Sequence, residues 1–134
     1  MSNVESGDRA TVLVCITCRG TDAADSPADD APRPGLILAE ATAAAAANAP
    51  DVSVQRVRCL GNCSRGLSAA IRCDDAWTYV FGGLEAPRDG LTLIAGARLL
   101  AGAADGIMPW QGRPEPLKRG LIARIPPHNF QESP

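Results

Sequence analysis

Hydrophobic and polar positions along this chain follow two different periods, and these periods predict its first elements. Residues 11–16 and 52–57 form short apolar or alternating runs, which are typical of strands. Residues 35–48 lie between them and are rich in alanine, the best helix former, until Asn48 and Pro50 end the pattern. A strand, a helix and a second strand predict a right-handed crossover that joins two parallel strands. The residues expected on the buried face of this helix are Leu36, Ala39, Ala43 and Ala47.

The second half of the chain predicts a hairpin and another helix. Residues 67–73 and 77–81 are rich in strand formers and are separated by a short polar turn, so we expect an antiparallel pair. Residues 89–104 have helical periodicity, with Asp89 as the expected N-cap. The aromatic side chains expected on one core-facing side of the hairpin are Trp77, Tyr79 and Phe81. The helical residues expected to face the core are Leu93, Ala97, Leu100 and Ala104.

Prolines dominate the chain after Gly106 and exclude a long helix there. Residues 121–125 are apolar enough to add an edge strand or to dock on the core. The order β-α-β-β-β-α predicts an α/β two-layer sandwich with a small mixed sheet and a Pro-rich C-terminal tail. We expect a disordered N-terminus at 1–9, one domain at 10–108 with a flexible acidic loop at 20–34, and a tail at 109–134 that docks on the domain.

Composition narrows the classes of function. The 134 residues fit one domain, and 46% hydrophobic with only 4% aromatic residues predicts a thin core. A net charge of −2 argues against nucleic acid as a partner, and the absence of a long apolar run argues against a membrane. The first residues lack the apolar region of a secretory signal, so we expect a cytoplasmic protein. No phosphate-binding loop, nucleophile elbow or catalytic carboxylate pair is visible, which favours a binding or electron-transfer protein over an enzyme.

Cysteine is the residue type that carries candidate chemistry, with five cysteines and one histidine in the chain. In a reducing compartment a cysteine cluster is first interpreted as metal-binding or catalytic. Cys15 and Cys18 follow the first strand, and Cys59 and Cys63 follow the second. If these strands are parallel neighbours, both pairs emerge at the carboxyl edge of the sheet, where ligands tend to bind. Four thiolates there would suit either a 2Fe–2S cluster or a tetrahedral zinc ion.

Three arginines, Arg19, Arg58 and Arg65, lie within two residues of these cysteines, and nearby cations lower the pKa of a thiol. The same arginines are the expected docking point for a partner. Cys73 is expected to be a core or strand residue outside the site, and His128 to be exposed.

The loop around the second cysteine pair resembles known iron–sulfur proteins. Cys59-Leu-Gly-Asn-Cys63 after a Val-rich strand is similar to the second pair of thioredoxin-fold 2Fe–2S ferredoxins and to the C-L-G-x-C loop of the small iron–sulfur subunit of respiratory complex I. The resemblance implies a thioredoxin-like ferredoxin fold. It also implies a cluster held by four ligands, Cys15, Cys18, Cys59 and Cys63.

A second resemblance covers most of the chain. It rests on both cysteine pairs, on the segment 77–83, and on the motifs Pro109-Trp110, Arg113-Pro-Glu115 and Ile122-Ala-Arg-Ile-Pro126. Together these resemble a bacterial family of uncharacterised predicted metal-binding proteins that often accompany cobalamin-biosynthesis genes. This resemblance implies a metalloprotein in the setting of cobalt or corrin metabolism.

These observations favour a 2Fe–2S ferredoxin-like one-electron carrier that serves a redox partner protein, and they allow a homodimer. A zinc- or cobalt-binding protein for metal handling is the first alternative. A thiol-disulfide oxidoreductase that uses Cys15 and Cys18 is the second. The acidic loop predicted after Cys18 disfavours the second alternative, because the second cysteine of such a dithiol usually lies near a helix start.

Overall fold

The computed structural model of the protein describes residues 10–16, 34–58, 67–74, 76–103 and 106–127. Among them no helix is both long and apolar enough to cross a membrane. The described elements are β1 (Ala10–Cys15), α1 (Pro34–Ala46), β2 (Val52–Val57), β3 (Leu67–Cys73), β4 (Thr78–Leu84), α2 (Asp89–Ala101), α3 (Pro116–Arg119) and β5 (Leu121–Ile125).

A five-stranded mixed sheet in the order β2-β1-β3-β4-β5 forms one layer. Strands β1 and β2 pair in parallel, as the crossover predicts, and the other neighbours pair antiparallel. Strand β5 takes an edge position, which is one of the two outcomes that the sequence left open for residues 121–125. Helices α1 and α2 contact each other and the same three strands, β1, β2 and β3, so they cover one face of the sheet. The predicted two-layer α/β sandwich is confirmed.

Small residues allow the two long helices to approach closely. A Cβ atom on Gly90 of α2 would lie 2.8 Å from the carbonyl carbon of Ala41 and 2.8 Å from the amide nitrogen of Thr42, so no side chain fits there. Helix α1 buries Gly35, Leu38, Ala39 and Thr42. Of the residues expected on its buried face, Ala39 is buried and Leu36 is half buried, whereas the prediction was wrong at Ala43 and Ala47, which are exposed. An alanine-rich helix has no strongly apolar stripe, and its neighbours therefore decide which side is buried.

The aromatic residues of β4 lie in the core, as predicted. Tyr79 and Phe81 are buried, with their ring centroids 6.2 Å apart. Trp77 precedes the strand and is half buried, and the Arg124 guanidinium lies 4.4 Å from its ring centroid. The hairpin strand is longer than predicted because it continues through two glycines to Leu84.

Helix α2 begins one residue earlier than an N-cap at Asp89 predicts. Arg88 is the N-cap, and Asp89 is the first helical residue, so the expected Asp89 cap was wrong. The Glu85 backbone N–H donates to Asp89 Oδ2 at 2.8 Å, which places the carboxylate across the turn before the helix. Three of the residues predicted to face the core are buried, namely Leu93, Ala97 and Leu100, and Ala104 lies outside the described residues.

The segment between α2 and β5 is fixed by a buried arginine. Arg113 is only 8% exposed, and its guanidinium donates to the carbonyls of Met108 at 2.6 Å and Pro109 at 3.2 Å. The Met108 N–H donates in turn to the Tyr79 hydroxyl at 2.9 Å. The four-residue helix α3 that follows has Pro116 at its start and is too short to give a periodic signal.

Candidate metal centre at the carboxyl edge of β1 and β2

The parallel pairing of β1 and β2 brings the ends of both strands to one edge of the sheet. Cys15, the last residue of β1, is paired with Val57, the last residue of β2. The Ile16 N–H donates to the Val57 carbonyl at 2.9 Å and extends this pairing by one residue. We call this part of the molecule the site edge, defined by Cys15, Ile16, Val57 and Arg58.

Cys15 is the predicted ligand that lies within the described residues. Its side chain is 1% exposed, and its thiol Sγ donates to the Arg58 carbonyl oxygen at 3.5 Å. Arg58 itself is exposed, and Cys59 follows it directly in the sequence. The first cysteine pair therefore begins beside the residue that leads into the second pair.

The segment between β2 and β3 starts and ends at this same edge. It leaves the described structure after Arg58 and returns at Leu67. Because β3 runs antiparallel to β1, with Ala69 opposite Val14, the start of β3 lies beside the end of β1. Three predicted ligands, Cys18, Cys59 and Cys63, lie outside the described residues, as do the nearby arginines Arg19 and Arg65. Among the described residues no three His, Cys, Asp or Glu side chains form a group that could hold a metal.

Cys73 lies at the opposite end of the sheet. It is the last residue of β3 and is paired with Ala10, the first residue of β1, five positions before Cys15. At the rise of a strand this separates Cys73 from the site edge by roughly 16 Å. The half-buried strand position of Cys73 agrees with its expected role. His128 lies outside the described residues, as do 1–9 and 17–33, which hold the predicted disordered N-terminus and nearly all of the predicted acidic loop.

The structure also reveals the burial of a carboxylate and of an arginine, which the sequence did not predict. Asp89 is 1% exposed and Arg113 is nearly as buried. Charged residues are rarely buried unless paired, so a sequence pattern predicts both on the surface. The glycines at 82 and 83 and the prolines that precede α3 were the available signals of close packing near them.

Comparison with known proteins supports the fold. The chain is similar to the structure of a thioredoxin-like [2Fe-2S] ferredoxin from Aquifex aeolicus, with a TM-score of 0.54 and 19% sequence identity over 92% of this chain and 99% of that chain. The α/β thioredoxin-like ferredoxin fold expected from the cysteine-loop resemblance is thereby confirmed. No curated protein matches the sequence significantly. Residues 12–127 match the model of a family described as a protein of unknown function, DUF1636, and the chain belongs to that family.

Proposed function

We propose that this protein is a 2Fe–2S ferredoxin-like one-electron carrier, with Cys15, Cys18, Cys59 and Cys63 as the cluster ligands. The observation that carries the proposal is the contact between the Cys15 thiol and the Arg58 carbonyl at the site edge. It brings one candidate ligand next to the residue that precedes another. A 2Fe–2S cluster held by four thiolates supplies a one-electron redox couple.

The residues at the site edge suit a thiolate-bound group. A thiol is a weak hydrogen-bond donor, so little hydrogen-bond energy is lost when the Cys15 sulfur exchanges its contact with the carbonyl for a bond to a metal. Cys15 is 1% exposed, and its neighbours at the site edge, Ile16 and Val57, are half buried, so the Cys15 sulfur is shielded from solvent. Shielding of this kind is one of the factors that set a cluster's reduction potential.

Iron–sulfur is favoured over zinc by the fold and by the loop. The similar Aquifex aeolicus protein is described as a [2Fe-2S] ferredoxin, and the Cys59-Leu-Gly-Asn-Cys63 loop resembles the loops of such proteins. Four thiolates around zinc would leave no open position and would make the site structural. The setting in cobalt or corrin metabolism rests on the resemblance to cobalamin-associated proteins alone.

A redox partner would dock at the site edge, where the exposed Arg58 offers a positive charge. Encounters of this kind typically bury less than about 1,200 Å².

The test is purification without oxygen, followed by measurement of iron, sulfide, zinc and cobalt per chain with visible and EPR spectra. We expect two irons and two sulfides per chain and an EPR signal that appears on one-electron reduction, because a 2Fe–2S cluster takes up one electron. Colourless protein with stoichiometric zinc, or protein that holds cobalt and no iron, would replace this proposal with the metal-handling alternative. Metal-free protein with a reversible Cys15–Cys18 disulfide would favour the oxidoreductase.

A further inference from the structure

A cavity of about 150 Å³ lies at the carboxyl end of β4. Its walls come from the end of β4, the start of α2, the short helix α3 and the residue that follows α3. Strand β3 lies between β1 and β4, and the end of β4 lies on the same side of the sheet as Cys15. The cavity is therefore two strand spacings from the site edge, which is roughly 10 Å across the sheet. The residues that line it are Gly82, Gly83, Arg88, Asp89, Pro116, Arg119 and Gly120.

Three of the residues that line this cavity are glycines. The Gly82 N–H donates to the Gly120 carbonyl at 2.9 Å, so the backbones of β4 and of the turn before β5 are in direct contact. A Cβ atom on Gly120 would lie 2.5 Å from the Pro116 carbonyl oxygen and 2.7 Å from the Gly82 carbonyl oxygen. Gly83 has a φ of 67°, a conformation that favours glycine. No side chain therefore projects into the cavity from these three positions, and the remaining lining residues are Arg88, Asp89, Pro116 and Arg119.

Asp89 gives the cavity a buried acceptor. Its side chain is 1% exposed, and its Oδ2 already accepts from the Glu85 N–H. Its Oδ1 is buried and has no hydrogen-bond partner among the described residues. The nearest cation is Arg88, whose Nε lies 3.6 Å from Oδ1, beyond hydrogen-bond distance. A position at the start of α2 favours the negative charge, but one oxygen still has an unused hydrogen-bonding capacity.

Two arginines give the cavity an exposed cationic rim. The side chains of Arg88 and Arg119 are 59% and 65% exposed. Each has a glutamate near it, Glu85 at 3.1 Å and Glu115 at 3.9 Å, and both glutamates are also largely exposed. Exposed pairs of this kind contribute little, so a ligand anion can replace either glutamate at small cost.

We propose that this cavity binds a small zwitterion that carries an ammonium and a carboxylate a few bonds apart, the size of glycine or alanine. The ammonium would donate to Asp89 Oδ1, with the Arg88 side chain moving aside. The carboxylate would accept from the guanidinium groups of Arg88 and Arg119, which match its geometry. A single anion would leave the Asp89 oxygen unused, and a single cation would leave the arginines unused. The proposal does not depend on the identity of any bound metal.

The test is titration of the full-length, isotope-labelled protein with glycine and with L-alanine, followed by NMR. Acetate and methylammonium at matched ionic strength serve as half-ligand controls. We expect saturable shifts of the Gly82, Gly83 and Gly120 amides with the amino acids. A hydrogen bond to a charged group contributes about 1.5–3 kcal/mol. Each half-ligand should therefore bind at least about tenfold more weakly than the amino acids do.

Two variants locate the site. Asp89→Asn keeps an oxygen that can accept from the Glu85 N–H. Arg119→Gln changes a side chain that is 65% exposed, so we expect this variant to keep its fold. Each should weaken amino acid binding about tenfold or more by the same reasoning. Arg98→Gln, which removes the same charge from an exposed position elsewhere on α2, should bind as the wild type does. Absence of saturable shifts, equal binding of either half-ligand, or unchanged binding by Arg119→Gln would overturn the proposal.

Discussion

The two ends of the sheet each carry a cysteine but are stabilised in different ways. At the site edge, Cys15 is buried and its thiol contacts a backbone carbonyl at 3.5 Å. We call the opposite end the far edge, defined by Cys73, Trp77 and residues 106–113. There the backbone N–H of Trp77 donates to the Gly106 carbonyl at 2.9 Å. The Arg113 guanidinium donates to two further backbone carbonyls.

The difference shows that the position of a cysteine in the sheet decides whether it is expected to be a ligand or a structural residue. Strands β1 and β2 are parallel neighbours that both end at the site edge. Each is followed in the sequence by further cysteines. Strand β3 ends at the far edge, where backbone and side-chain groups of the protein form hydrogen bonds with one another. The far edge is therefore expected to supply stability from protein contacts, and the site edge to supply a ligand.

The largest expected effect separates the two cysteines. Cys15→Ser should lose nearly all bound iron, because a serine oxygen is a poor substitute for a thiolate in an iron–sulfur site. Cys73→Ser should keep the metal content of the wild type. Iron and sulfide per chain, measured on protein purified without oxygen, check this pair. If Cys73→Ser loses the metal while Cys15→Ser keeps it, the proposed site is at the wrong end of the sheet.

The remaining proposed ligands can be tested against the same control. Cys18→Ser, Cys59→Ser and Cys63→Ser should each weaken metal retention as Cys15→Ser does. A variant among them that retains iron and an unchanged visible spectrum would remove that cysteine from the proposed ligand set.

An intermediate effect should be confined to the far edge. Arg113→Ala removes hydrogen bonds from a buried guanidinium to two carbonyls, so the free energy of unfolding should fall by about 2–3 kcal/mol. Urea denaturation of the metal-loaded protein measures it, with Arg98→Ala as the exposed control. The folded variant should keep its metal. Loss of metal from folded Arg113→Ala protein would contradict the separation of the two edges.

The smallest effect concerns a single hydroxyl. Tyr79→Phe keeps the ring in the core but leaves the buried Met108 N–H without its acceptor, so stability should fall by about 1–3 kcal/mol, and by less than in Arg113→Ala. The same urea transition measures this change. Stability equal to that of the wild type would show that the Met108 N–H finds another acceptor.

Local patterns were enough to predict the first four strands, the two long helices and their order, while β5 was one of two outcomes left open. The alternation of Val52 and Val54 and the aromatic alternation at Tyr79 and Phe81 each reflect a side-chain period that a strand imposes. The buried side of α1 was not predictable, because alanine occurs on every side of this helix and no side is clearly more hydrophobic than another. Helix α3 was missed since four residues carry no period.

The sequence predicted the candidate site only on the condition that the first two strands are parallel neighbours in the sheet. Sequence spacing attaches cysteines to the ends of two strands, but it does not say that those strands are neighbours. The parallel register of β1 and β2 supplies that condition for Cys15 and Arg58. The assignment of Cys18, Cys59 and Cys63 stays a prediction from the sequence.

The sequence by itself determined which residues can form strands and helices and which thiols follow strand ends, because these are properties of near neighbours in the chain. Only the tertiary structure decided the contact of Cys15 with the Arg58 carbonyl, the distance of Cys73 from the site edge, and the burial of Asp89 and Arg113. Each of these depends on contacts between segments far apart in sequence. The physical reason is that burial and hydrogen-bond partners are set by the packing of whole elements, which a local pattern does not encode.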